Sequence, residues 1–91
     1  MGIDALDLRY RLEKTFDMRL SDDEFYGLFR RLGDPTAGQL KSFIADKLQA
    51  LERGTEPFLQ ERVWRCIADA LFIDVEEIQP ESRLISDLRM E

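Results

Sequence analysis

The chain has 91 residues, 44% of them apolar, with a formal charge of −6 and a pI near 4.7. That length makes one small domain with a modest core. Its acidity argues against nucleic acid or an anionic membrane as the main partner, because phosphate binding needs a basic surface. Cys66 is the single cysteine and histidine is absent, which excludes an intrachain disulfide, Ser-His or Cys-His nucleophiles and His-ligated metal.

The first helix is expected from about Ile3 to Phe16. Ala5, Leu8, Leu12 and Phe16 recur at three- and four-residue spacing as one apolar stripe, with Ile3, Leu6 and Tyr10 to one side. Asp4 and Asp7 stand near the helix start, where carboxylates oppose the positive end of the dipole. Met18 and Leu20 are read as core plugs in the loop that follows. Ser21-Asp22-Asp23-Glu24 is a capping box. It opens a second helix with Phe25, Leu28, Phe29 and Leu32 on one face, a left-handed cap at Gly33 and a stop at Asp34-Pro35. The acids Asp22 to Glu24 lack the spaced ligands and glycine of a calcium loop and read as helix caps.

Thr36 and Gln39 form a second capping box. The helix it opens carries Leu40, Phe43, Ile44, Leu48 and Leu51 at helical spacing and is expected to end near Arg53, with Gly54 just beyond. Gly54 to Pro57 is a short connector between antiparallel helices. Thr55 is the expected cap of the last long helix, and Pro57 lies in its first turn. Leu59, Val63, Ile67, Ala70 and Leu71 give that helix its core stripe. Cys66 reads as a buried small hydrophobe. Asp74 to Ile78 forms a turn, with Asp74 as its cap and Glu77 three residues on. From Gln79 the tail is expected to be extended and polar, anchored by Leu84, Ile85 and Leu88. It crosses the bundle to bring Glu91 to the start of the first helix. The opening lacks a basic, apolar signal region and no apolar run approaches a membrane span, so a cytoplasmic, soluble protein is expected.

Joined tail to head, the two ends read as one passage. Asp87-Leu88, Glu91, Ile3-Asp4 and then Leu8, Leu12 and Phe16 resemble the loop and second helix of an acyl carrier protein. The Glu-x-Ile-x-Pro-x-Ser rhythm from Glu76 to Ser82 resembles the exit of that family's first helix. The resemblance covers nearly the whole chain in rotated order. Residues 1–53 correspond to family helices II to IV, 54–57 to a connector, and 58–91 to helix I and its following loop. It implies an all-α, acyl-carrier-protein-like four-helix bundle, circularly permuted in the order II-III-IV-I and cut at the modification site. Exchange of pieces between two chains, or a fragment spanning a tandem junction, fits the same order, so a monomer and a domain-swapped dimer both stay open.

The resemblance also implies chemistry. In the family a serine at the helix start carries 4′-phosphopantetheine, whose thiol holds acyl groups of fatty-acid or polyketide type as thioesters. That position, flanked by Glu91, Ile3 and Asp4, is Gly2, which has no hydroxyl. Ser21, Ser42, Ser82 and Ser86 do not match the motif, Ser86 being nearest in sequence. No phosphopantetheine is therefore expected on this chain, and neither a catalytic residue nor a metal ligand. Partner docking is assigned to Ile3, Asp4, Leu6, Asp7 and Tyr10, against acyl-transfer or synthase enzymes with basic surfaces. Arg9 and Arg11 depart from the family's apolar pattern. The alternative is a non-carrier docking module on a degenerate acyl-carrier fold; a stand-alone enzyme is disfavoured.

Overall fold

The computed structural model describes residues 3–54 and 56–91; the expected cap at Thr55 and the attachment position at Gly2 lie outside these. Four α-helices follow in order: α1 (Ile3–Phe16), α2 (Asp22–Leu32), α3 (Ala37–Ala50) and α4 (Leu59–Leu71), then a 3₁₀ turn at Val75–Glu77. There is no β-strand among the described residues; one isolated bridge joins Thr36 and Arg83. The radius of gyration, 12.0 Å, is close to the ~12 Å of a compact chain of this length. The architecture is thus a small all-helical bundle.

α4 is its hub, packing on α1, on α3 and on the 3₁₀ turn. Its buried positions Val63, Trp64, Cys66, Ile67 and Ala70 meet the α1 stripe Ala5, Leu8, Leu12 and Phe16, all fully buried. The two helices run antiparallel. Arg62, in the first turn of α4, donates to the Thr15 backbone oxygen at 2.6 Å, and the Cys66 thiol donates to Thr15 Oγ1 at 3.3 Å near the end of α1. Phe25, Leu28 and Phe29 of α2 and Leu40, Ile44 and Leu48 of α3 close the core. No polar or charged residue among those described is buried, and no buried side-chain nitrogen or oxygen among them lacks a hydrogen-bond partner.

Both expected capping boxes form. Ser21 Oγ accepts the Glu24 N–H at 3.1 Å and the Glu24 carboxylate takes the Ser21 N–H at 3.0 Å. Thr36 and Gln39 do the same at 3.1 and 2.8 Å. The helix ends are less regular than expected. α1, α3 and α4 all finish in a six-residue closure, with Met18, Arg53 and Ile73 donating to the oxygens of Glu13, Leu48 and Ala68, each at 3.1 Å. The residue before each donor is left-handed: Asp17, Glu52 and Phe72. Glycine is the ordinary occupant of that position, and none of the three is glycine.

Five expectations need correction. α3 stops at Ala50, because Glu52 and not Gly54 takes the left-handed closing position, and Leu51 is left exposed. α4 starts at Leu59, because Phe58 is left-handed (φ 59°) and breaks the helix; Pro57 therefore precedes it. Gly33 has positive φ, but with ψ −71° and an Asp34 N–H to Leu32 oxygen bond of 2.9 Å it forms a γ-turn, not a left-handed cap. Leu32, the last residue of α2, is exposed. Finally, the tail is not extended. Ser82 bonds back to Gln79, Asp87 and Leu88 to Arg83, and Met90 to Leu84, so it is a strap of successive turns.

Candidate functional site

The strap is seated on the loop between α2 and α3. The amides of Ala37 and Gly38, orphaned at the start of α3, donate to the oxygens of Ser82 and Pro80 at 2.8 Å each. The Leu84 N–H reaches the Pro35 oxygen at 2.9 Å. Gly38 is required here: a Cβ at that position would stand 2.9 Å from the Pro80 oxygen. Asp34 clasps the next turn. Its carboxylate accepts the Ile85 N–H at 2.8 Å, the Ser86 N–H at 3.1 Å and the Ser86 hydroxyl at 2.6 Å. Burial pulls its pKa upward, but the Ser86 hydroxyl and these two amides more than reverse this, and the group sits below the ordinary carboxylate value. Leu84 and Met90 plug into the core and Leu88 packs against it, while Ile85 is exposed.

The strap ends on α1. The backbone oxygen of Glu91 accepts the amides of Asp4 at 3.0 Å and of Ala5 at 3.3 Å. In return Asp4 Oδ2 accepts the Glu91 N–H at 3.0 Å. Inside a helix, Ala5 would bond to the residue four before it. Glu91 therefore takes, in the helical register, the acceptor position four residues before Ala5. The reciprocal bond, a first-turn carboxylate of α1 accepting the Glu91 N–H, is one half of a capping box. Two chain positions 87 residues apart thus complete one helix start.

Among the assigned docking residues, Ile3, Leu6 and Tyr10 are 82%, 56% and 57% exposed. On α1 they lie three and four residues apart, beside the buried stripe. Asp4 is committed to the strap. Asp7 accepts from Arg11 Nε at 3.1 Å, so its charge is partly neutralised. Arg9 is engaged within the fold: it pairs with Asp22 and lies 5.8 Å from the centre of the Tyr26 ring, tying α1 to α2. Glu24 pairs with Lys47 of α3 at 2.5 Å. The Lys47 contact first, and the Ser21 N–H second, hold Glu24 below its usual value. The acids at the start of α2 therefore act as caps and interhelix ties.

Cys66 is buried, and burial raises its thiol pKa despite the Thr15 hydroxyl, which disfavours the nucleophilic thiolate. The groove above it, between α1 and α4, is lined by Asp7, Tyr10, Arg11, Lys14, Arg65 and Asp69 among others. Sequence reasoning missed Asp34, Met90 and the cation of Arg9. Their partners lie in other elements, and only the apolar bulk of Met90 gave a local signal. No helix among the described residues is long and apolar enough to cross a membrane. The chain matches no protein-family model, no curated protein and no solved structure.

Proposed function

We propose that this chain is an acyl-carrier-type domain of thioester-based biosynthesis, in permuted order and without the attachment serine. The observation that carries the reading is the register of Glu91, whose oxygen serves Asp4 and Ala5 at the start of α1. That register supports reading tail and head as one continuous loop and helix.

The residues present do not fit phosphopantetheine. Attachment needs a hydroxyl at the helix start, and Gly2 offers none. The nearest serine in sequence, Ser86, directs its hydroxyl at Asp34. The retained activity is then docking. Ile3, Leu6 and Tyr10 leave apolar surface on α1 that the fold does not use, which is the observation favouring the alternative of a non-carrier docking module for basic partner surfaces.

Intact mass after incubation with coenzyme A and a broad-specificity phosphopantetheinyl transferase tests the reading. The chain is expected to keep its mass, and Gly2→Ser to gain one phosphopantetheine. A Gly2→Ser chain that stays unmodified counts against the family reading. Modification of the parent chain at Ser86 would overturn the alignment across the ends.

A further inference from the structure

We infer that Phe72 is the apolar anchor of a docking face for a protein partner with a basic rim, a reading that rests on the docking role proposed above. Phe72 closes α4 in the left-handed region, with φ 57° and ψ 46°. A side chain there is strained, and glycine is the residue that avoids the strain. The ring makes no compensating contribution to the core, because it is 90% exposed. An outlier that costs stability and contributes no packing points to use at a surface.

Its location and surroundings indicate what covers it. The antiparallel packing of α1 and α4 puts Thr15 beside Arg62 and Cys66 at one end and brings Asp7 and Asp69 to one groove. Phe72, three residues beyond Asp69, therefore lies at the end of the bundle where α1 begins with the exposed Ile3 and Leu6. From Cys66 to Ser82 the chain carries Asp69, Asp74, Glu76, Glu77 and Glu81 and no lysine or arginine. None of these five makes an ion pair among the described residues. Asp7 adds a partly neutralised charge, and Arg89 of the strap is the cation nearest Glu91 in sequence. An exposed aromatic ring set in a stretch of chain that carries five exposed acids and no cation suits a protein surface with an apolar pocket and a basic rim, and repels nucleic acid and anionic lipid.

Phe58 supplies the control. It is also left-handed and 75% exposed, but it stands at the opposite end of α4, beside the paired Arg62 and Glu56. The experiment uses the full chain carrying Gly2→Ser and measures its loading by a broad-specificity phosphopantetheinyl transferase, alone and with Phe72→Ala, Phe72→Gly or Phe58→Ala. The expected result is a fall of at least tenfold in kcat/KM for both Phe72 variants, carried by KM. Phe58→Ala should stay within twofold of the parent. Phe72→Gly should melt above the parent while loading more slowly, which separates docking from folding. Equal loading by all variants overturns the anchor while leaving the family reading standing, and so does an equal loss at Phe58 and Phe72. A Gly2→Ser chain that is never loaded overturns the family reading and the anchor with it.

Discussion

Replacing Gly38 by alanine sets two effects of opposite sign against each other, and the structure decides which wins. A methyl group in the first turn of α3 adds up to about 1 kcal/mol of helix propensity, and less that near a helix end. It also enters a space that is already filled. Its carbon would stand 2.9 Å from the Pro80 oxygen and 3.5 Å from the Pro80 Cβ, whereas a carbon–oxygen contact settles near ~3.3 Å or beyond. The strap must retreat by about half an ångström. The same oxygen accepts the Gly38 N–H at 2.8 Å, and that retreat stretches the bond past the usual range, at a cost of roughly 1 kcal/mol. Overpacking adds about 1–3 kcal/mol. The net expectation is a loss of roughly 1–3 kcal/mol, or a Tm lower by roughly 5–20 °C for a domain of this size. Gly27→Ala is the matched comparison. It lies within α2, and its nearest new neighbour is the flexible end of Arg30 at 3.7 Å, so a gain of about 0.5–1 kcal/mol is expected. Urea unfolding of both variants measures the difference. A Gly38→Ala chain as stable as the parent would refute the seating of the strap described here.

Asp34→Ala should cost about 1–2 kcal/mol in urea unfolding, since it removes an acceptor used by two amides and a hydroxyl. A double-mutant cycle with Ser86→Ala should give a coupling of roughly 0.5 kcal/mol or more; additivity would deny the bond. Leu84→Ala, at a fully buried strap position, should cost about 2–5 kcal/mol and lower the denaturant midpoint of the whole domain, not of the tail alone. Acid titration should show a falling limb. Asp34 and Glu24 both titrate lower in the folded chain, so the unfolded chain binds more protons between the two values. Stability should be fully present above about pH 5 and be lost as pH falls below about 4. Lys47→Met should shallow that limb, as followed by helix content against pH.

What could be read in the sequence was whatever is written in a short window. The α1 stripe, the α3 stripe as far as Leu48 and the two capping boxes depend on residues three or four apart, and each formed as expected. The end of α3 and the start of α4 did not follow, because Glu52 and Phe58 adopt backbone angles that the sequence would assign to glycine. Non-local pairing explains the other gaps. Nothing near Asp34 in sequence announces the turn it clasps some fifty residues later. Nothing near Arg9 announces Asp22 and Tyr26. The strap was expected to reach α1, and it does. Its turns were not foreseen, although bonds within the strap close them, among them the Gln79 N–H to Ser82 Oγ and the Arg83 N–H to Asp87 Oδ2. For the candidate site, periodicity located Ile3, Leu6 and Tyr10 on a free face, but it could not show that Asp4 serves as a clamp. Charge tests at that position should therefore use Asp4→Asn, which keeps an acceptor for Glu91.

The bond between Asp4 and Glu91 makes one end of the chain a reporter for the other. Closing a loop of that length costs about 4 kcal/mol of chain entropy, a cost met by the seating of the strap along its whole path and not by the bond itself. The amides of Asp4 and Ala5 give their protons to the Glu91 oxygen. They are exposed to solvent exchange whenever the last residues lift away, even if every helix stays intact. Two backbone protons near the beginning of the chain thus time the opening of a segment encoded some eighty residues later, and exchange at those two sites measures a detachment that helix content would not register.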